Sequence, residues 1–389
     1  MPNNRGRRGR YERILAVKLA DLGDLLAVTP ALQALRASYP TARIDLLVPP
    51  SSESLLRGAP YVDRILAFDK FPFDRKRGLL SPQRLFLTLR FMLGLRMARY
   101  DTLVLFHHFA TRWGTFKFAA VAYATGAHVR AGLDNGRGGF LNMRVMDRGF
   151  GTVHEVDYWL ELVRMLGADT TPGYNPHIPV DDASRASVTE MLAGSGRGPL
   201  VAMHPGAGWY SRARIWPVEN FAAVACGLGR SHAATVVVLG GPDEVEAASR
   251  LEKLVEGAGG GLLNLAGRTS IHETAALIER CDLFVGNDSG PMHIAAAVGT
   301  PVVAVFGPSN IRAWGPYTPP GAPFKHTVVS RDLPCMPCFY RGHSLGLREG
   351  CGTRECLTRL PPGPVLEACR GKLGSGESGN GIRKKTMNR

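Results

Sequence analysis

Between Asp282 and Phe306 the chain reads DLFVGNDSGPMHIAAAVGTPVVAVF, and few folds accept that order. Pro301 to Phe306 is an unbroken apolar run, which suits a strand buried on both faces, as in a parallel sheet. Asp282 to Gly286 reads as a second short buried strand. Between them lie a polar turn, Asn287 to Pro291, and a stretch, Met292 to Val298, that reads as a short helix stopped by Gly299. Strand, turn, helix and strand make a βαβ unit. In open parallel sheets ligands sit beyond the carboxyl ends of the strands, which is where this turn lies. Ser289 or Asp288 is placed to cap the helix, and Gly290 lets a backbone approach a ligand closely. Free amides at a helix start favour anions such as phosphate. His293 is expected on the first turn, facing the same place. An ordinary capped helix in an α/β core is the other reading of these residues.

A similar unit opens the chain. Arg13 to Leu19 is an apolar run with Lys18 near its end, Leu25 to Ser38 reads as a helix, and Ile44 to Val48 as the next strand. Asp21, Gly23 and Asp24 stand between the first strand and the helix. Each Asp is a helix cap or a carboxylate aimed into a cleft, and spacing does not separate the two. Pro30 would clash with an interior helical turn, so it is expected at a kink or at the first position of a helix. Leu103 to Phe106 is a further strand, ending in His107 and His108, candidate substrate contacts. Val153 to Leu166 is a helix stopped by Gly167. Three prolines in 168–183 and the glycine-rich 193–199 place a domain boundary near 180–198.

The second half repeats the pattern. Leu200 to Met203 is a strand, followed by HPGAGWYSRARIWP and a helix over 217–230. Gly206 and Gly208 loosen the backbone, and Arg212 and Arg214 supply charge. A strand, a glycine turn, cations and a helix start suit phosphate, although GxxxxGK[ST] is absent and this is no P-loop. Ala234 to Leu239 is a strand ending in Gly240, Gly241, Pro242, Asp243 and Glu244. These turns all fall on one edge of one parallel sheet.

Charge narrows the partners. Of the net +14, residues 1–10 carry +4, residues 70–100 carry +7 and residues 370–389 carry +5, which leaves −2 for the rest. The folded body is nearly neutral, whereas nucleic-acid binding wants a basic face on the fold itself, so no nucleic acid is expected. The basic tails, 1–10 and 371–389, are expected to be disordered, and basic segments of this kind suit an anionic membrane surface. Residues 82–99 hold Leu, Phe, Met and four Arg without one acid. Four Arg make a poor spanning helix. A core-packed helix with snorkelling Arg stems is the plainer reading, and a membrane-surface role is the alternative. No charge-free run of 18 apolar residues appears and the N-terminus lacks an apolar core, so a cytoplasmic protein without a secretory signal is expected.

Several stretches together resemble glycosyltransferase family 9, the ADP-heptose:lipopolysaccharide heptosyltransferases and their relatives. They are ILAVKLADLGDLLAVTPALQALRASYPTARIDLLV (14–48), VHEVDYWLELVRMLG (153–167), HPGAGWYSRARIWPVENFA (204–222), VVVLGGPDE (236–244), LAGRTSIHETAALI (265–278) and NDSGPMHIAAAVGTPVVAVFGPSN (287–310). The resemblance implies an α/β protein of GT-B architecture, with two Rossmann-like parallel-sheet domains facing across a cleft: 11–185 for the acceptor and 198–360 for the nucleotide-sugar. It implies an inverting transferase that needs no cofactor and no catalytic metal. Its donor is ADP-heptose and its acceptor a lipopolysaccharide core or related lipid-linked or oligosaccharide glycan. Asp24 aligns with the family's general base. Arg214 aligns with a phosphate-binding Lys, a departure, since Arg and Lys bind phosphate differently. Glu244 aligns with the acid that meets the nucleoside ribose, and Asp288, Ser289, Gly290 and His293 with the diphosphate cradle. Lys18, His107 and His108 are candidate acceptor contacts. The readings set against this one are a GT-B transferase with another donor and a nucleotide-sugar binder without turnover.

Seven cysteines are present, and four follow Cys335-x2-Cys338-x12-Cys351-x4-Cys356. Four thiols with a CxxC suit tetrahedral zinc, so a structural zinc site is a candidate beside plain buried thiols. The family shows a similar CxPC…C…CL pattern. Residues 361–370 are expected to form a last helix crossing back to the first domain.

Overall fold

The computed structural model describes residues 11–69, 82–208, 212–323, 325–346 and 348–374. The expectations for residues 1–10 and 375–389 lie outside them. The first sheet takes six parallel strands: β1 (Arg13–Val17), β2 (Arg43–Val48), β3 (Arg64–Ala67), β4 (Thr102–Leu105), β5 (Val129–Asp134) and β6 (Met143–Met146), in the order β3-β2-β1-β4-β5-β6. Its central strands are buried throughout apart from Arg13 at the start of β1, which is why they read as apolar runs without alternation. Helices α1 (Leu22–Ser38), α2 (Pro82–Met97), α3 (Arg112–Thr125) and α4 (Glu155–Met165) cover it. α1 and α4 pack in one hydrophobic cluster, while α2 and α3 meet a second cluster.

The chain then forms α5 (Asp182–Met191) and a second parallel sheet of β7 (Leu200–His204), β8 (Thr235–Val238), β9 (Leu262–Asn264), β10 (Leu283–Asn287), β11 (Val302–Val305) and β12 (Thr327–Val329). Its order is β12-β11-β10-β7-β8-β9, the same winding as the first sheet. The helices of this half are α6 (Val218–His232), α7 (Val245–Gly257), α8 (Ile271–Arg280), α9 (Gly290–Ala297), α10 (Ile311–Trp314), α11 (Glu355–Thr358) and α12 (Pro362–Leu373). Each sheet has the strand order of a dinucleotide-binding fold.

The structure corrects two expectations and sharpens two. Pro30 lies in the interior of α1, which removes the helix-start alternative. Its missing N–H leaves the Leu26 carbonyl without the usual bond, and the Thr29 hydroxyl donates to that oxygen at 2.7 Å. The last helix does not cross back to the first domain. α12 packs against α6, β10, β11 and β12, with Val365 and Cys369 fully buried, and it continues through 371–373, which were assigned to a tail. α5, at the expected boundary, packs on α8 through Ser187 to Glu273 (2.7 Å) and Arg185 to Glu279 (2.9 Å). Finally, α2 is not core-packed all round: Leu95 is its only buried residue. Full burial of one large apolar side chain is worth about 1.5–3 kcal/mol, and α2 leaves most of that unrealised.

Candidate active site

Both sheets reverse their winding at one point, between β1 and β4 and between β7 and β10. Ligands gather at such a point, beyond the strand ends. Lys18 and Asp24 follow β1, His107 and His108 follow β4, the glycine turn at 205–208 follows β7, and Asp288 to His293 follow β10. The two edges face each other. The starts of α1 and α9 meet, Gly290 lying against Leu22 and Gly23 against His293.

The second-domain edge is organised by Asn287, fully buried at the end of β10. Its amide nitrogen donates to the carbonyls of Pro205 (2.8 Å) and Gly206 (2.9 Å), and its oxygen accepts the Trp216 amide (3.1 Å). The glycine turn and the start of α6 are thereby fixed to the β10 end. Arg214 sits in a short helical turn over 212–214. Its guanidinium reaches Asp288 at 3.3 Å and donates to the Ala207 carbonyl at 3.1 Å. Burial works against the Arg214 charge, but nearby Asp288 outweighs it and raises the pKa.

Ser289 stands at the N-cap position of α9, but the helix start carries no side-chain cap bond. Asp288 is drawn to Arg214, and the Ser289 hydroxyl lies 3.0 Å from His204 Nδ1. The first turn of α9 thus keeps amides that neither side chain occupies. His204 Nε2 donates to Glu244 at 2.9 Å, and Glu244 also accepts the Gly208 and Gly241 amides at 3.0 Å each. Burial would raise the Glu244 carboxyl, yet these donors hold it at about 2. Glu244 is a fixed anion that ties the ends of β7 and β8 together.

On the first domain, Lys18 Nζ lies 3.0 Å from Asp24 Oδ1, with Lys18 buried and Asp24 30% exposed. The ammonium also stands 4.8 Å above the Trp159 ring. A buried cation therefore anchors one oxygen of a carboxylate that is open to the cleft. His107 serves the backbone: its Nε2 accepts the Leu19 amide at 2.8 Å, and its ring stacks on Phe118. His108 is wedged between Asp147 (3.0 Å) and the fully buried Glu155 (3.1 Å). Burial would lower its pKa, but the charges of Glu155 and Asp147 carry it to about 9. His108 is thus an imidazolium held by two carboxylates.

His293 joins the halves. Burial lowers its pKa to about 4, with Asp288 and Asp24 pulling the other way and His154 and Arg214 adding to the fall. All four charged or titratable neighbours act on one imidazole, which is neutral at pH 7. His154, just before α4, donates from Nε2 to the Gly315 carbonyl at 2.9 Å, and Tyr317 donates to Asp157 at 2.9 Å. These bonds pin α4 to the second domain beside the site.

Cys335, Cys338, Cys351 and Cys356 line one cavity of about 310 Å³, next to Ala213 and Pro308. The Cys338 thiol donates to the Cys335 carbonyl, and Cys351 Sγ accepts the Arg354 amide at 3.3 Å. Among the described residues no three His, Cys, Asp or Glu side chains form a metal-ligand group, so the zinc expectation gains no support from this geometry.

Sequence reasoning missed His204, Asn287, Trp159, Asp147 and Glu155. Their partners lie 40 to 85 positions away for His204 and 39 to 47 for His108, beyond any local pattern. The one available signal was that His204 and Asn287 close the apolar runs of β7 and β10.

Comparison with known proteins agrees with this architecture. The model of glycosyltransferase family 9 (heptosyltransferase) matches residues 89–348. The chain is 29% identical to lipopolysaccharide heptosyltransferase 2 of Escherichia coli K12 over 319 residues, 79% of this chain and 85% of that relative. It is 30% identical to lipooligosaccharide heptosyltransferase 2 of Campylobacter jejuni over 177 residues, 45% of this chain and 51% of that relative, so there the match spans about half. The structure of E. coli ADP-heptose lipopolysaccharide heptosyltransferase II superposes with a TM-score of 0.68 at 24% identity, covering 93% of this chain and 98% of that one. The two sheets are accordingly the two domains of a GT-B fold. With a family match over two thirds of its length, the chain belongs to glycosyltransferase family 9 and is a glycosyltransferase.

Proposed function

We propose that the chain transfers heptose from ADP-heptose to a hydroxyl of a lipopolysaccharide core or related glycan, with inversion and without a catalytic metal. The observation that carries this reading is the meeting of α1 and α9. It sets Asp24 close enough for its charge to act on His293, which lies beside Asp288 and Arg214. Asp24 takes the proton of the acceptor hydroxyl. The hydroxyl oxygen forms a bond to the anomeric carbon as the bond from that carbon to the diphosphate oxygen breaks on the opposite face. ADP leaves with the bonding pair. Arg214, His293 and the amides at the α9 start meet the charge that grows on the leaving group. Lys18 anchors one Asp24 oxygen and so orients the other. Glu244 receives the nucleoside ribose, and His107 and His108 act by holding the acceptor-side strand end.

Arg214 keeps a cation at the position where the family resemblance implies Lys, which favours turnover over a binding protein without activity. The reaction is assigned to the cytoplasmic side, with peripheral contact to an anionic membrane. A screen of sugar-nucleotides for thermal stabilisation, followed by mass analysis of product, tests the reading. A donor at 100 times its Kd stabilises by about 2.7 kcal/mol. ADP-heptose is expected to stabilise the chain and to give an α-configured product from a β-configured donor. A product of retained configuration, or none from any donor, contradicts the proposal.

A further inference from the structure

The helices α2 and α3 present an apolar surface that no described element covers. At about 100° per residue, Leu85, Phe86, Leu89, Leu93 and Met97 fall within one third of the α2 circumference. They are exposed by 45% to 80% of their surfaces. The inward face holds Phe91, Met92 and Leu95, which pack in the core cluster beside α3. α2 therefore has two apolar faces, one satisfied and one not. Arg90 flanks the outer stripe, Arg96 lies within it near the end of the helix, and the helix contains no acid. On the neighbouring α3, Phe116 and Tyr123 are each about 60% exposed on one face (61% and 62%), with Trp113 stacked on Phe116.

We propose that the outward faces of α2 and α3 dock this protein onto an anionic lipid bilayer. An apolar stripe with Arg at its edge and near its end, and with Trp and Tyr alongside, suits a helix lying in the headgroup region. Charge argues against the other occupants. The undescribed segments 1–10, 70–81 and 375–389 are all net basic, so their charge, like that of a second Arg-bearing copy, does not complement α2, whereas an anionic surface does. No helix of the described residues is long and apolar enough to cross a membrane, so the contact is made at the surface. Its position fits the site. In a parallel sheet the helices run back against the strands, so α2 and α3 begin at the carboxyl edge that carries Asp24. A bilayer on this face meets the rim of the cleft, where a lipid-anchored acceptor is needed. The inference deepens the peripheral-membrane reading above, and vesicle binding is measured without donor, acceptor or turnover.

The test is co-sedimentation of the full chain with vesicles of phosphatidylglycerol and phosphatidylcholine, against phosphatidylcholine alone. Binding is expected on the anionic vesicles only and is expected to fall with added salt. The double variant Leu89→Asp/Leu93→Asp should bind at least tenfold more weakly. Phe116→Asp, on α3, should also weaken it, and Leu254→Asp, an exposed Leu on α7, should not. Undiminished binding by both stripe variants would overturn the proposal. So would loss of binding only when residues 1–10 and 375–389 are removed, or absence of vesicle binding with self-association that the stripe variants abolish.

Discussion

Gly23 and His293 meet across the interdomain cleft so closely that a Cβ at Gly23 would stand 2.6 Å from His293 Cδ2. No ordinary carbon contact is that short, so the side chain at position 23 sets how near α1 comes to α9. Gly23→Ala should therefore push the imidazole or the helix aside. Overpacking of this kind costs about 1–3 kcal/mol. Because Asp24 is the next residue, kcat/KM should fall about 10- to 100-fold, with a modest fall in Tm. Steady-state kinetics beside thermal unfolding checks this.

Arg214 contributes charge to the leaving-group side while making a fork of contacts to Asp288 and Ala207. Lys at this position restores the charge but not the fork. Arg214→Lys should stay within about tenfold of the parent rate. Arg214→Ala should lose about 10²–10³-fold in kcat, as for removal of a transition-state donor. Equal losses in both variants would assign the effect to the fork and not to the charge.

The His108 triad makes a statement about pH. Its folded pKa, about 9, lies above the ordinary 6.5. The imidazolium therefore stabilises the fold fully below pH 6.5, and this contribution fades as pH rises through 9. His108→Gln leaves Asp147 and Glu155 without their cation, and breaking a buried ion pair in this way costs about 3–5 kcal/mol. Denaturant unfolding at pH 6 and at pH 9.5 should show a penalty that is large at the lower pH and much smaller at the higher.

The strands were legible because a parallel sheet buries both faces, so β1, β7, β10 and β11 appear as apolar runs. The turn after β10 was legible as a junction at the sheet's carboxyl edge because strand end, polar turn and helix start are contiguous. Ser289 takes the N-cap position, but its hydroxyl meets His204, on another strand 85 positions earlier, and so forms no cap bond. His107 and His108 looked alike in sequence, yet one holds a backbone amide and the other lies between two carboxylates. The difference comes from Leu19, Asp147 and Glu155, which only the fold brings close. α2 was misread because its apolar residues fall on two faces, and no periodicity says which of two apolar faces meets the core.

Asp24→Asn tests the central claim most directly. It keeps the size of the side chain and removes its ability to take a proton, while Arg214, Asp288 and His293 stay in place. Product formation should fall by about 10²–10⁴-fold, with Kd for the nucleotide diphosphate within about twofold of the parent by calorimetry. Turnover at the parent rate in Asp24→Asn would contradict the account.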